Sequence, residues 1–255
     1  MVPRRLAAET PTTPAPLEPT EPRDPIRYDS ACELPTMRRL QIFAATTAVV
    51  MAPSVLPAHA DDLQRAAFHS PAEEVLALAD ALEERVTVWH RPDGTNVHIG
   101  HCRLAPRGCR ARVEQLATWI YEAGEQEGID PWILAAIAFR ESGLNPWAVG
   151  RAGERGIIQL NPHSREGSRS RFVRDERYRE GCRRLDGACQ KEVLIAGAQL
   201  LARAIRMCGG NLARGLSGYN AGTCAGAPEY GRRILRERDF LFTMLRRRRE
   251  RLALN

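Results

Sequence analysis

The stretch that most constrains this chain runs from Asp130 to Pro146. Asp130-Pro131 is a helix start, Ile133, Leu134, Ile137 and Ala138 recur at helical spacing, and Gly143 ends the run. At the end of this apolar segment stands a single acid, Glu141, followed by Ser142-Gly143. Burial beside apolar groups disfavours the charged form of a carboxyl, so a group placed there keeps its proton nearer neutral pH. That is the property needed to protonate a leaving oxygen. Taken alone, the stretch reads more readily as a solvated acid in a last helical turn; the rest of the chain has to decide.

The same helical punctuation recurs on both sides. Ser70-Pro71-Ala72-Glu73 combines a cap, a first-turn Pro and a third-position Glu, and Val75, Leu78, Ala79, Leu82 and Val86 follow at helical spacing. Residues 90–111 break the pattern with Pro, Gly and two Cys, which predicts an ordered loop or short hairpin around Thr95 to Ile99. A helix over about 112–127 turns Val113, Leu116, Ile120 and Ala123 inward and stops at Gly128. Another from Glu192 to Met207 buries Val193, Leu194, Ala198, Leu201 and Ile205 and stops at Gly209-Gly210. Asn211 caps a short helix leading to Tyr219-Asn220. A last helix over about 228–251 turns Ile234, Leu235, Leu241, Leu245 and Leu252 inward, and its Arg246–Arg249 run suits the helix dipole. Two segments differ. Residues 148–162 form a glycine-rich excursion with one amide, Gln159, among apolar residues. Residues 163–190 are polar and Arg-rich and read as a surface insertion. The fold class is all-α (mainly α).

Residues 1–36 are rich in Pro, Thr and charge. Met37-Arg38-Arg39, an apolar run from Leu40 to Leu56, and Ala58-His59-Ala60 then follow the order of a secretory signal peptide, predicting export and a mature chain from Asp61. Residues 1–36 read either as a mis-assigned start or as an extension before an uncleaved anchor, and the complete pattern from Met37 favours the first. No Cys follows the cleavage site, which argues against a lipoprotein. Cys102, Cys109, Cys182, Cys189, Cys208 and Cys224 lie in the mature part and Cys32 outside it. An even count behind an export signal reads as disulfides. Many connectivities are open, and the local one (Cys102–Cys109, Cys182–Cys189, Cys208–Cys224) is expected. The spacings are not of the C-x2-C kind and no His lies between Cys182 and Cys224, so neither a metal nor a cofactor is expected.

The net charge of +6, carried by Arg with Lys191 as the one lysine, favours an anionic partner. No nucleic-acid module is visible, so a wall polymer or surface charge is the better expectation. No phosphate-cradling Gly-Lys-Ser/Thr motif and no His pair at ligand spacing supports a nucleotide or metal enzyme. No run is long enough to be a clear membrane span.

Three pieces stand in order: Glu141-Ser142-Gly143, then Gly153-x-x-Gly156-x-x-Gln159-Leu160-x-Pro162, then Gly218-Tyr219-Asn220-Ala221-Gly222. Together, over roughly residues 115–235, they resemble the SLT-type lytic transglycosylases, a goose-lysozyme-like family that cleaves peptidoglycan. The resemblance implies a lysozyme-like α-domain with a groove between the Glu141 helix, the glycine-rich ribbon and the Tyr-Asn segment. It implies that Glu141 protonates the glycosidic oxygen between MurNAc and GlcNAc, then acts as base on the MurNAc 6-hydroxyl as an anhydro ring closes. It implies that Ser142, Gln159, Tyr219 and Asn220 line the substrate groove and hold the sugar or the glutamate. Trp132 and Trp147, beside the apolar helix, are read either as sugar-stacking rings or as core.

A single acid is chemically sufficient here, because an internal hydroxyl nucleophile replaces the water that a second carboxylate would activate. Glu154 reads as solvated; as a second acid it would favour hydrolysis. The sequence departs from the family at Asn161 (often Met), at Val193-Leu194 and Leu200, and at Gly218 (usually Ala). These departures bear on glycan binding and leave open a hydrolytic muramidase or a non-catalytic wall-binding or secretion accessory. The expected organisation is a signal at 37–60, a helix and Cys-containing loop at 61–111, and a transglycosylase domain at 112–255. The expected state is an exported monomer of the periplasm or cell envelope. It would act on peptidoglycan glycan strands, with cell-envelope machinery as an open partner and nucleic acid as none.

Overall fold

The computed structural model describes residues 68–91, 95–184 and 187–253. Residues 1–36, the expected signal segment at 37–60 and Cys32 lie outside them. The described residues form nine helices and one hairpin. In chain order these are α1 (Pro71–Val86), β1 (Thr87–His90), β2 (Asn96–His98), α2 (Gly100–Arg103), α3 (Gly108–Glu127), α4 (Pro131–Ser142), α5 (Arg171–Arg174), α6 (Glu176–Arg184), α7 (Gln190–Met207), α8 (Leu212–Ala221) and α9 (Pro228–Ala253). The mainly α class holds. Among the described residues no helix is long and apolar enough to cross a membrane.

The apolar helix is the axis of the domain. Every residue of α4 from Pro131 to Ala138 is buried, and α3 and α9 pack against it. Asp130 caps it by accepting the Trp132 N–H at 2.9 Å. Gly143 closes it in the left-handed conformation (φ 61°), with its N–H on Phe139 O at 2.7 Å. Trp132 is core: it is fully buried, its Nε1–H donates to Glu74 at 3.0 Å, and its ring lies between Phe68 and Phe242. The remaining helices wrap this axis, α1 against α3 and α9, α7 against α3 and α8, and α8 against α9.

The glycine-rich excursion is a tight ribbon in which Arg155 bridges both Val149 and Leu160. Its apolar pair Ile157-Ile158 is buried. A Cβ at Gly197 would stand 1.7 Å from Ile158 Cδ1, so the glycine leaves room for that side chain as the ribbon seats on α7. Gln190, at the start of α7 and fully buried, accepts the Ile157 N–H at 3.1 Å.

Four details differ from the sequence reading. Helix α3 begins at Gly108 rather than Arg112, because the Cys102–Cys109 bridge lies within its first turn. The insertion is not wholly surface: Phe172 and Val173 are buried and Phe172 joins the core beside Trp147. Leu252 is exposed, since the end of α9 runs past the core. The cationic end of α9 does more than face the helix dipole. Arg248 reaches Glu83 at 2.7 Å and Asp80 at 3.3 Å, and Arg110 joins both acids. Burial opposes ionisation of Glu83, yet Arg110 and Arg248 outweigh it and hold its pKa below the ordinary carboxylate range.

All three expected disulfides form, with Cα–Cα separations of 4.8, 5.7 and 5.5 Å. The Cys208–Cys224 bridge also bears on the departure at Gly218. A Cβ there would stand 3.3 Å from Cys208 Sγ and 3.4 Å from Ala204 Cβ. The Cys208 sulfur would therefore crowd a side chain there by a few tenths of an ångström.

Two outcomes follow. Replacing Cys208 and Cys224 together by Ala should lower stability by about 3 kcal/mol, the loop-closure contribution for a loop of this length. With the bridge intact, Gly218→Ala should gain less than the ~1 kcal/mol that Ala ordinarily adds in a helix. In the bridge-free background the full gain should appear. A double-mutant cycle by thermal denaturation reads the difference, and equal effects in both backgrounds would refute the steric coupling.

Candidate active site

The closing turn of α4 presents three polar side chains in succession, Arg140, Glu141 and Ser142, immediately after the buried stretch. Ser142 Oγ lies 2.6 Å from Ile157 O and 3.0 Å from Ala138 O. Its hydroxyl therefore ties the helix end to the ribbon rather than standing free in a groove. This bond and the Gly143 cap fix the direction in which Glu141 leaves the helix.

Glu141 is half-buried and meets a residue that the sequence reading did not single out. Tyr230, in the first turn of α9, donates its hydroxyl to Glu141 Oε1 at 2.6 Å. The signal for it was present: Tyr230 stands four residues before Ile234 and so lies on the inward stripe of α9. Glu141 Oε2 has no hydrogen-bond partner among the described residues. One carboxyl oxygen is thus held and the other is free to carry a proton outward.

Burial is the main cause that raises the pKa of Glu141 above the ordinary carboxylate value. The Tyr230 hydroxyl opposes it, the Glu154 charge adds to it, and Arg140 and Arg233 counter it. Tyr230 is itself held in its neutral, donating form, because burial, then Tyr219 and the Glu141 charge, push its pKa well up. Burial and the Glu141 charge do the same to Tyr219.

Tyr219 stacks near Tyr230, ring centroids 6.2 Å apart, and donates its hydroxyl to Ile158 O at 3.2 Å. Gln159 adopts a left-handed backbone (φ 48°) and its amide Nε2–H donates to Gly156 O at 2.9 Å. Its Oε1 and the Glu154 carboxylate both close over Gly150, where a Cβ would stand 2.7 and 2.2 Å from them. Glu154 accepts the Ala152 N–H at 3.0 Å and so is bound into the turn. The side chain of Asn220, exposed at the end of α8, makes no hydrogen bond to the described residues. The structure thus joins Glu141, Ser142 and Tyr219 through the ribbon and Tyr230, places Gln159 on the ribbon itself, and leaves the Asn220 amide facing solvent. Trp147 is half-buried against Phe172, with Arg183 over its ring. A cleft of about 850 Å³ between the insertion and the outer face of α7 contains none of these site residues.

Residues 118–229 match the family model of the transglycosylase SLT domain. The match spans Glu141, Ser142, Gln159, Tyr219 and Asn220 and stops one residue short of Tyr230. No curated protein and no solved structure matches the chain.

The geometry sets the expected pH behaviour. The Tyr230 hydroxyl favours the ionised carboxylate, so Tyr230→Phe should raise the pKa of Glu141 further. Any activity that needs the protonated acid should then hold to higher pH in the variant; an unmoved alkaline limb would count against the bond. A carboxyl whose folded pKa is raised contributes stability that is complete below its unfolded pKa and is lost as pH rises through the folded value. Glu141→Gln, which has nothing to ionise, should therefore match the wild type in thermal melts below that window and exceed it above.

Proposed function

We propose, with the transglycosylase SLT domain of residues 118–229 as the premise, that this chain is a peptidoglycan lytic transglycosylase. Its single acid–base group would be Glu141. The observation that carries the reading is a carboxyl raised in pKa by burial, with one oxygen held by Tyr230 and the other without a partner. An SLT domain implies action on the cell wall outside the cytoplasm, and three disulfides suit an exported chain.

In this mechanism Glu141 gives its proton from Oε2 to the glycosidic oxygen between MurNAc and GlcNAc as the C1–O bond breaks. The new carboxylate stays on the Tyr230 hydroxyl, which keeps its own proton and so stabilises the charge without taking part in the transfer. The carboxylate then removes the proton of the MurNAc 6-hydroxyl as that oxygen bonds to C1. The ring closes to a 1,6-anhydro end and Glu141 is protonated again. No water enters, so no second carboxylate is required, in contrast to the usual acid pair. Glu154, bound to the Ala152 amide, is consistent with that economy. Ser142 and Tyr219 serve as positioning residues through their carbonyl contacts, while Gln159 and Asn220 offer amides to the sugar.

Digestion of purified sacculi tests the reading. Anhydro-muropeptides, each one water lighter than the hydrolytic product, are expected. Reducing MurNAc ends alone would make the chain a muramidase, and binding without released muropeptides would make it a wall-binding accessory. Glu141→Gln should lower the rate by about 10²–10⁴-fold, the usual contribution of a general acid–base group; unimpaired lysis would remove Glu141 from the mechanism.

A further inference from the structure

A second surface opens beside Glu141. An open cleft of about 620 Å³ is lined by Arg85, Arg140, Arg233, Arg236, Glu237 and Phe240, among others. Arg140 directly precedes Glu141, and Arg233 and Arg236 follow Tyr230 at successive three-residue steps along α9. Neither Glu141 nor Tyr230 lines the cleft, but the charges of Arg140 and Arg233 act on Glu141, so the cleft lies beside the candidate acid and runs along α9.

Its charges are unevenly satisfied. Arg85 is anchored, with Nε on Glu237 Oε1 at 2.7 Å and its guanidinium over the Phe139 and Phe240 rings. Glu237, almost fully buried, is turned to Arg85 and reaches Arg140 only at 3.9 Å. Asp239 is paired with Arg238. Arg233 and Arg236, both exposed, have no ion-pair partner among the described residues. The cleft thus has an excess of cations, two of them open, and Phe240, partly exposed, lies at its far end.

We infer that this cleft is a subsite for the carboxylate-bearing peptide stem of the glycan strand, with Arg140, Arg233 and Arg236 as its contacts. The inference rests on the proposed peptidoglycan reading, and three observations carry it. Two of the cleft's cations, Arg140 and Arg233, stand near enough to act on the acid, and the stem hangs from the MurNAc residue whose bond is cleaved. The open charges are of one sign, and an extended stem has free carboxylates along its length. From Arg233 to Phe240 helix α9 advances roughly 10 Å at about 1.5 Å per residue, which matches about three residues of extended peptide at about 3.3 Å each. Cationic guanidiniums bind carboxylates in a fixed planar geometry, so the subsite would select stem-bearing strands over bare glycan.

Arg236→Glu tests this, since Arg236 is exposed and lies outside the acid's own contacts. With stem-bearing strands the variant should raise KM roughly fivefold at unchanged kcat, the size expected for reversing one exposed ion-pair contact. Arg236→Gln should give an intermediate rise. With strands stripped of their stems by an amidase, both variants should equal the wild type. Equal effects on the two substrates, or none on either, would overturn the subsite. Binding of the synthetic stem tripeptide L-alanyl-γ-D-glutamyl-meso-diaminopimelate should weaken by the same factor in Arg236→Glu and fall with added salt. If the wild type cleaves neither strand but binds the tripeptide through Arg236, the enzymatic reading fails and the subsite stands. If it cleaves both and Arg236→Glu is silent, the reverse holds. Loss of binding to anionic lipid vesicles or DNA, with tripeptide binding intact, would replace the stem as the ligand.

Discussion

The burial of α4 on every side is the constraint on which the rest depends. A helix with no polar face can meet solvent only at its ends, so its polar side chains gather in one closing turn. Successive residues of a helix point about 100° apart, and the three residues there address three different neighbours. Arg140 turns to Glu237 on α9, Glu141 to Tyr230 at the start of α9, and Ser142 to the ribbon. One apolar segment thereby sets the origin from which the acid, its hydroxyl partner and the ribbon are all positioned.

The ribbon has only isolated bridges of its own, and its backbone groups must find partners elsewhere if they are to be buried. Side chains supply them. Gln190 takes the Ile157 N–H, Ser142 faces the Ile157 carbonyl and Tyr219 donates to the Ile158 carbonyl. Three helices thus converge on two residues. The family resemblance places Ser142 and Tyr219 in the groove as substrate or glutamate contacts. In this structure both hydroxyls are committed to backbone carbonyls of α4 and the ribbon.

The helices, their caps, the disulfide pairs and the candidate acid were legible in the sequence because each rests on local chemistry. Apolar spacing marks a helix face, Asp130 and Gly143 mark its ends, and cysteines seven or sixteen residues apart can meet within one loop. What depends on a distant partner was not legible. Tyr230 went unremarked at the start of a long helix, because its contact exists only once α9 meets the end of α4. Phe172 looked like part of a polar insertion, since the core space it fills belongs to the ribbon and α7. The Arg246–Arg249 run read only as suiting the helix dipole for the same reason: Asp80 and Glu83 lie far away in sequence. Gly218 looked like a plain departure because the Cys208 sulfur that would crowd a Cβ there comes from the far end of α7.

Glu141 stands in the last turn of α4, where the carbonyl ends of the helix give it a partial negative charge. A proton donor at that end is favoured in its neutral form by the helix itself, independently of burial. The carboxylate left after donation is therefore formed in a field of its own sign, relieved by the Tyr230 hydroxyl, Arg140 and Arg233. Such an anion is driven to recover a proton promptly. Within the proposed reaction the nearest source is the sugar hydroxyl that must be deprotonated, so the helix that holds the acid in readiness also favours the closing step.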